Sequence, residues 1–323
     1  MAIRPGLVSG TAVGALSDIG KSWEIECCPQ SGAIDGGTHN HPVVRKEPET
    51  MSSASDGSGA SNPHPWYETF FGEDYLRIYA PVLPPERTAR EVEGIVRLLE
   101  QFGAPPGSAL LDLACGHGRH AIPLAQRGYR VTGQDLSQVF LRRAEADARA
   151  AGVSVRWLHG DMRQIPFEAE FDGLINIFTA FGYLESEDED LDVLRQVRKA
   201  LRPGGLFLLE TMHRDALVRG YQPHGITRHE DGLLVLEERA FDQLSGRNHV
   251  RVTLILPDGT RREHQHAARV YSATDLARLC ASAGLEVAAH YGGLDSSALR
   301  LNSPRLVLAC RRPIRDQSDS TWT

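Results

Sequence analysis

Two glycines and an acid carry the first chemical signal in this chain. Gly116-His117-Gly118 follows a short apolar run, Ala109–Ala114, and Asp135 closes a second run, Tyr129–Gln134. Glycine has no Cβ, so such a turn can take positive φ and let a ligand approach its backbone. A carboxylate about 20 residues further on can accept hydrogen bonds from both hydroxyls of an adenosine ribose. Between them Ile122, Leu124 and Ala125 have helical spacing, and Gly128 marks the stop. A helix starting near Arg119 aims its unpaired N–H groups at the same ligand. Strand, glycine turn, helix, strand and acid together make a nucleotide-handling βαβ unit.

Two details narrow the ligand. Asp112 lies inside the first run and gives D-L-A-C-G-x-G-R. A third run, Ser154–His159, leads into Gly160-Asp161-Met162-Arg163. With these residues the chain resembles class I S-adenosylmethionine (SAM) methyltransferases. The resemblance implies SAM as cofactor, with Asp135 on its ribose and Leu136 alongside. It implies that Asp161 accepts from the adenine amino group and that Met162 gives backbone and apolar contact. Gly116 and Gly118 then hold the methionine portion with Asp135 on the ribose, and Asp112, Ala114, His117, Asn176, Phe178, Tyr75 and Tyr79 complete the cofactor set. Ala121, in the sixth position of G-x-G-x-x-A, also lets the stretch pass as a dinucleotide fingerprint. An NAD(P)-dependent oxidoreductase is therefore one rival, and a non-catalytic SAM-binding protein another.

These residues need a frame. Phe171–Phe178 reads as a fourth strand, Asp188–Leu201 as a helix with an acidic start, and Leu206–Glu210 as a fifth strand after Arg202-Pro203-Gly204-Gly205. Pro84-Pro85-Glu86 opens an amphipathic helix to about Phe102, and Gln138–Ala150 is another. Residues 224–270 break this rhythm: Leu233–Phe241, His249–Leu256 and Thr260–Val270 alternate apolar and polar, with a turn at Pro257-Asp258-Gly259-Thr260. Ala273–Ala283 returns to helix, followed by strands Leu285–Tyr291 and Arg305–Arg311, expected as an antiparallel pair. The expectation is α/β: a doubly wound, seven-stranded Rossmann-like methyltransferase sheet with an antiparallel β insertion.

At 323 residues the chain suits one enlarged domain or two. Residues 1–62, rich in Gly, Ser, Thr and Pro, read as a disordered leader, with Met51 an alternative start; residues 63–313 form the domain and 314–323 a tail. His39 and His41 in the leader make at most a stray metal contact. A net charge of −7 argues against phosphate-backbone binding, and the arginines, interleaved with acids, read as solvated surface. No apolar run is long enough to cross a membrane. The five cysteines have no disulfide or zinc spacing, which fits reduced thiols in a cytoplasm. Cys115 reads as a small apolar neighbour of the cofactor. Oligomeric state, a homodimer included, stays open.

The acceptor side is read from the ends of strands four and five. The exit Asn176-Ile177-Phe178-Thr179-Ala180-Phe181-Gly182-Tyr183 lacks the N/D-P-P-Y of methyltransferases acting on nucleic-acid bases. It is similar to the M-F-S-S-x-G-H/Y of small-molecule N-methyltransferases acting on deoxyamino-sugars, a likeness that spans roughly Tyr67 to Gly292. A small-molecule acceptor follows, with nitrogen favoured over oxygen or carbon. That subgroup's histidine falls on Tyr183, so Tyr183 and His213 are the candidates for orienting the acceptor or taking a proton. Glu210 either orients a partner or caps the next helix. The aromatic stretch 63–82 reads either as a packed helix or as a lid, with Tyr75 and Tyr79 on one helix face. His264 and His266 share a strand face and read as exposed, with no metal.

Overall fold

The computed structural model describes residues 65–314. The leader, Met51, His39 and His41, and the tail beyond Ile314 lie outside the described residues.

Among the described residues eleven strands form two sheets. The first five are β1 (Ala109–Leu113), β2 (Arg130–Asp135), β3 (Arg156–His159), β4 (Phe171–Asn176) and β5 (Leu201–Met212). The insertion adds β6 (His224–Arg228), β7 (Leu234–Asp242), β8 (Arg247–Ile255) and β9 (Arg261–Arg269), and the chain closes with β10 (Glu286–Tyr291) and β11 (Arg305–Arg311). The main sheet runs β10-β11-β5-β4-β1-β2-β3. β1 lies parallel to both β2 and β4, and β4 parallel to β5. β11 is antiparallel to both β5 and β10. Repeated parallel crossovers, as in a dehydrogenase, would not give that edge.

Alternation along the strands produces two cores. Leu111, Leu113, Phe207 and Leu209 face one side with Leu276 and Leu279 of α8 (Ala273–Ser282) and Val193, Leu194 and Val197 of α6 (Glu187–Ala200). Leu110, Leu206 and Leu208 face the other, against Ile95, Leu98 and Leu99 of α3 (Pro85–Gln101). A strand buried on both faces reads as a continuous apolar run, which is why β1 and β5 are legible in the sequence. α6 starts in a capping box, in which Ser186 and Glu189 satisfy each other's backbone N–H. α5 (Gln138–Ala150) is capped by Ser137, whose Oγ accepts from Phe140 N at 3.3 Å.

The second sheet is a meander, β6-β7-β8-β9, and its buried face carries Val235, Val250, Val252 and Leu254. It packs on α1 (Trp66–Phe70), which Phe71 and Gly72 separate from α2 (Glu73–Tyr79). Residues 66–82 are thus two short helices and a 3-10 turn, where the stretch reads in the sequence either as a packed helix or as a lid.

Among the boundaries that differ from expectation, three do so for local reasons, and two elements were not anticipated. α4 (Ala121–Gln126) begins two residues after Arg119, because the glycine turn first closes through Gly118 N to Cys115 O at 3.1 Å. β4 stops at Asn176, because Phe178 and Thr179 take φ of 68° and 60°, outside the strand region. β5 begins at Leu201 and passes through Gly204 at φ 81°, so Arg202–Gly205 bends the strand without ending it. β6 and the six-residue helix α7 (Arg214–Arg219) were not anticipated.

Candidate functional site

A cavity opens over the C-terminal ends of β1 and β4, where the sheet order reverses direction. Such a switch point is where open α/β sheets bind ligands. Ala114, Gly116 and Gly118 hold φ of 56°, 57° and 79°, which turns the backbone sharply out of β1. A Cβ placed on Gly116 would meet only Phe140 Cδ2, at 3.9 Å, so the glycine leaves open space beside the turn.

Asp135 locks this turn. Its Oδ2 accepts from Gly116 N at 2.7 Å and its Oδ1 from Ser137 N at 2.7 Å. Burial pushes its pKa up, and the N–H groups of Ser137 and Gly116 pull the other way. Leu136 lines the cavity beside it.

At the exit of β3, Gly160, Asp161 and Met162 form the next wall. Gln134 holds this loop, its Nε2 donating to Asp161 O at 2.9 Å and Gln164 O at 3.1 Å. Arg163 grips the Asp161 carboxylate through N, Nε and Nη2 at 2.8, 3.0 and 2.6 Å. Burial alone would raise the Asp161 pKa, but Arg163 holds it below the usual carboxylate range. His117 also lines the cavity, and burial pushes its pKa down to about 4. Cys115 lines it as a buried thiol whose pKa burial drives well up.

Three candidates stand behind the cavity wall instead of in it. Asp112 is 2% exposed under the turn, and its Oδ2 has no hydrogen-bond partner. Burial pushes its pKa up to about 8, so the carboxyl carries its proton at neutral pH. Asn176 donates from Nδ2 to Leu113 O at 2.9 Å and ties β4 to β1. Tyr79 stacks behind Tyr75, their ring centroids 4.5 Å apart, and touches the edge of Phe178 at 6.2 Å.

The far wall is aromatic. Tyr67, Phe71, Tyr75 and Tyr183 line it, with Trp66 packed edge-on to Tyr183 at 5.1 Å. Burial pushes the Tyr75 and Tyr183 hydroxyls well above their ordinary pKa, and to a lesser degree that of Tyr67. Tyr183 therefore sits where the sequence placed it. His213 does not. It caps α7 and is buried, with Nδ1 3.1 Å from Ser303 O, outside the residues that line the cavity. The chain turns into α7 straight after Met212 pairs with Arg305, which points His213 toward the loop before β11.

Glu210 orients a partner, one of its two anticipated roles. Its Oε2 accepts from Phe178 N at 2.6 Å and its Oε1 from the Arg305 guanidinium. This holds Phe178, a cavity residue, in its left-handed conformation. The guanidinium carbons of Arg119, Arg87 and Arg305 lie 4.9, 5.2 and 5.7 Å from the Phe178 ring centroid. Arg119 lines the cavity and was passed over in the sequence as scattered surface charge. Its position directly after the second glycine of the turn was the available signal.

His264 and His266 are not exposed. His266 stacks on Phe70 at 4.7 Å, and burial pushes its pKa down to about 4. His264 Nε2 lies 2.9 Å from Asp74 Oδ2. Among the described residues no group of three or more His, Cys, Asp or Glu could hold a metal ion. No helix among them is long and apolar enough to cross a membrane.

Residues 110–205 match the family model described as "Methyltransferase domain". The structure of the CcbJ methyltransferase from Streptomyces caelestis superposes with a TM-score of 0.66 at 22% identity, covering 76% of this chain and 99% of that one. The chain has the Rossmann-like fold that methyltransferases of known structure share. SAM-bound CalS10 of Micromonospora echinaspora, an amino pentose methyltransferase, shares this fold with a TM-score of 0.59 at 22% identity, over 74% of this chain and 97% of that one. A glycine/sarcosine N-methyltransferase of Parasynechococcus marenigrum is 28% identical over 57% of this chain and 64% of its own length. The chain spans about half the length of other curated relatives it matches.

Proposed function

We propose that this chain is a SAM-dependent methyltransferase whose acceptor is a small molecule bearing an amine. One observation carries the cofactor assignment: the Asp135 carboxylate is fixed against the Gly116 turn, with Asp161 and Met162 at the neighbouring strand exit. The residues suit the group. Asp135 keeps free lone pairs for ribose hydroxyls, Asp161 has an acceptor edge for adenine, and the open side of Gly116 admits the methionine portion.

Bound SAM supplies an electrophilic methyl group on a sulfonium. The chain's own contribution is placement and the exclusion of water. Phe71, Tyr75 and Tyr183 offer ring faces to a cationic centre. Burial keeps Tyr67, Tyr75 and Tyr183 of this wall as phenols, so none of them is the anion a base would need to be at neutral pH. An amine that arrives neutral needs no such base, whereas a hydroxyl does. Tyr183 would orient the amine through its hydroxyl. The names of the amino pentose and glycine/sarcosine enzymes support nitrogen as the methylated atom. The three described cysteines are free and buried, which supports a cytoplasmic setting.

Methyl-labelled SAM offered with a panel of small amines, alcohols and phenols tests this reading. Label transfer confined to amines is the expected result. Transfer only to hydroxyl acceptors would replace the amine assignment.

A further inference from the structure

The carbonyls on either side of Tyr183 are both held from the insertion sheet. Gly182 O accepts from the main-chain N–H of Arg269 at 2.7 Å. Leu184 O accepts from Arg247 Nη2, which also donates to Glu185 O at 2.8 Å. Arg247 opens β8, Arg269 closes β9, and the two stand opposite each other in that ladder. This docking excludes a side chain at Gly182. Its φ is 97°, and a Cβ there would lie 2.3 Å from the Arg269 carbonyl oxygen. Asp190 of α6 supplies the charge that two neighbouring guanidiniums need. It is 1% exposed, and its Oδ2 accepts from the Tyr271 hydroxyl at 2.6 Å and from Arg269 Nη1 at 3.3 Å. The Tyr271 ring lies 5.8 Å from that of Phe181, in the same turn as Tyr183. Burial pushes the Asp190 pKa up to about 6, while Tyr271, Arg269 and Arg247 favour the carboxylate. Glu187, one turn earlier on α6, also acts on Arg269.

We propose that Asp190 is a positioning residue for the acceptor wall: it sets Tyr183 by fixing the two arginines that hold the carbonyls beside it. This rests on the reading of Tyr183 as the residue that orients the amine. Asp190 lies outside the residues lining the cavity, so it acts through the chain and not on a ligand. Removing its charge takes away the buried anion that offsets Arg269 and Arg247, and a buried cation without its partner is costly. Relief comes from moving the β8–β9 end toward water, and the bonds to Gly182 O and Leu184 O move with it. The other contacts of Tyr183, with Trp66 and Phe71, belong to the N-terminal segment, so the turn and its ring are held from two independent sides.

A ring-fluorinated tyrosine in place of Tyr183, in the full chain, reports on this directly through its fluorine NMR resonance. Asp190→Asn keeps the shape of the side chain and removes its charge. The resonance should move by more than its linewidth in that variant at neutral pH. In the wild type it should titrate with a midpoint near pH 6, and in Asp190→Asn that step should be absent. Tyr271→Phe leaves the carboxylate and deletes one of its bonds, so it should give a smaller shift in the same direction. Affinity for S-adenosylhomocysteine, by calorimetry, should change less than about 2-fold in both variants, which also shows that they are folded. An unmoved resonance in Asp190→Asn, or in Tyr271→Phe where the first variant does not fold, overturns the proposal, as does a wild-type resonance that is flat through pH 6. A loss of affinity in step with the shift also overturns it, because Asp190 would then support the whole fold. If the wild-type protein does not bind S-adenosylhomocysteine, the SAM reading fails, and the fluorine resonance by itself still decides whether Asp190 sets Tyr183.

Discussion

Glu210 and Phe178 are joined by a hydrogen bond of 2.6 Å from the Phe178 N–H to the carboxylate Oε2. That bond, with the Glu210–Arg305 ion pair, holds two consecutive non-glycine residues, Phe178 and Thr179, at positive φ. Left-handed backbone at such residues costs of order 1 kcal/mol each and persists where surrounding contacts demand it. The shape of the acceptor wall therefore depends on a carboxylate from the neighbouring strand.

Glu210→Gln removes the charge that Arg305 needs and weakens the hold on Phe178. Breaking one partner of a mostly buried pair should cost about 3 kcal/mol. Urea denaturation should show a lower midpoint with little change in slope. An unchanged midpoint would mean that the β4 exit keeps its conformation without Glu210.

Asp135→Ala frees the Gly116 turn and removes the ribose acceptor together. Binding of S-adenosylhomocysteine should weaken by at least an order of magnitude in calorimetry. Wild-type affinity in the variant would remove Asp135 from the cofactor site.

Tyr183→Phe deletes one hydroxyl and keeps the ring against Trp66 and Phe71. Turnover should fall more than cofactor affinity. Because burial raises the Tyr183 pKa, the wild-type rate should show no fall from tyrosine ionisation up to about pH 10. Equal losses in turnover and affinity would move Tyr183 to the cofactor.

Asp112 predicts an unusual pH slope. Its folded pKa, about 8, lies above the unfolded value of 3.8, so the folded state holds the extra proton between those limits. Its contribution to stability is complete below pH 3.8 and is lost as pH rises toward 8. Asp112→Asn removes that slope, so it should raise Tm by a few degrees at pH 8 and by less at pH 5. His117 and His266 act in the opposite sense. Their folded pKa values, about 4, lie below the ordinary 6.5, so their contribution is complete above pH 6.5 and falls as pH drops to 4. His266→Phe, which keeps the stack on Phe70, should flatten the acid side of the Tm profile.

The central βαβ unit was legible because its signals are local: two glycines, an apolar run on each side, and Asp135 at a fixed spacing. The insertion was legible through alternation in β7, β8 and β9, while β6 was missed because His224–Arg228 is polar and largely exposed. What the sequence could not give was side-chain direction after a strand end. His213 and Tyr183 both follow sheet strands, yet only Tyr183 faces the cavity. Arg119 and Glu91 are 28 residues apart, and only the packing of α3 brings them together. His264 and His266 seemed solvent-facing by alternation until α1 and α2 covered them with Phe70 and Asp74.

The most direct test of the whole account is a calorimetric titration of the purified chain with S-adenosylhomocysteine, beside NADH. The account predicts saturable one-to-one binding of S-adenosylhomocysteine and none of NADH. No heat with S-adenosylhomocysteine, or saturation by NADH instead, would contradict it.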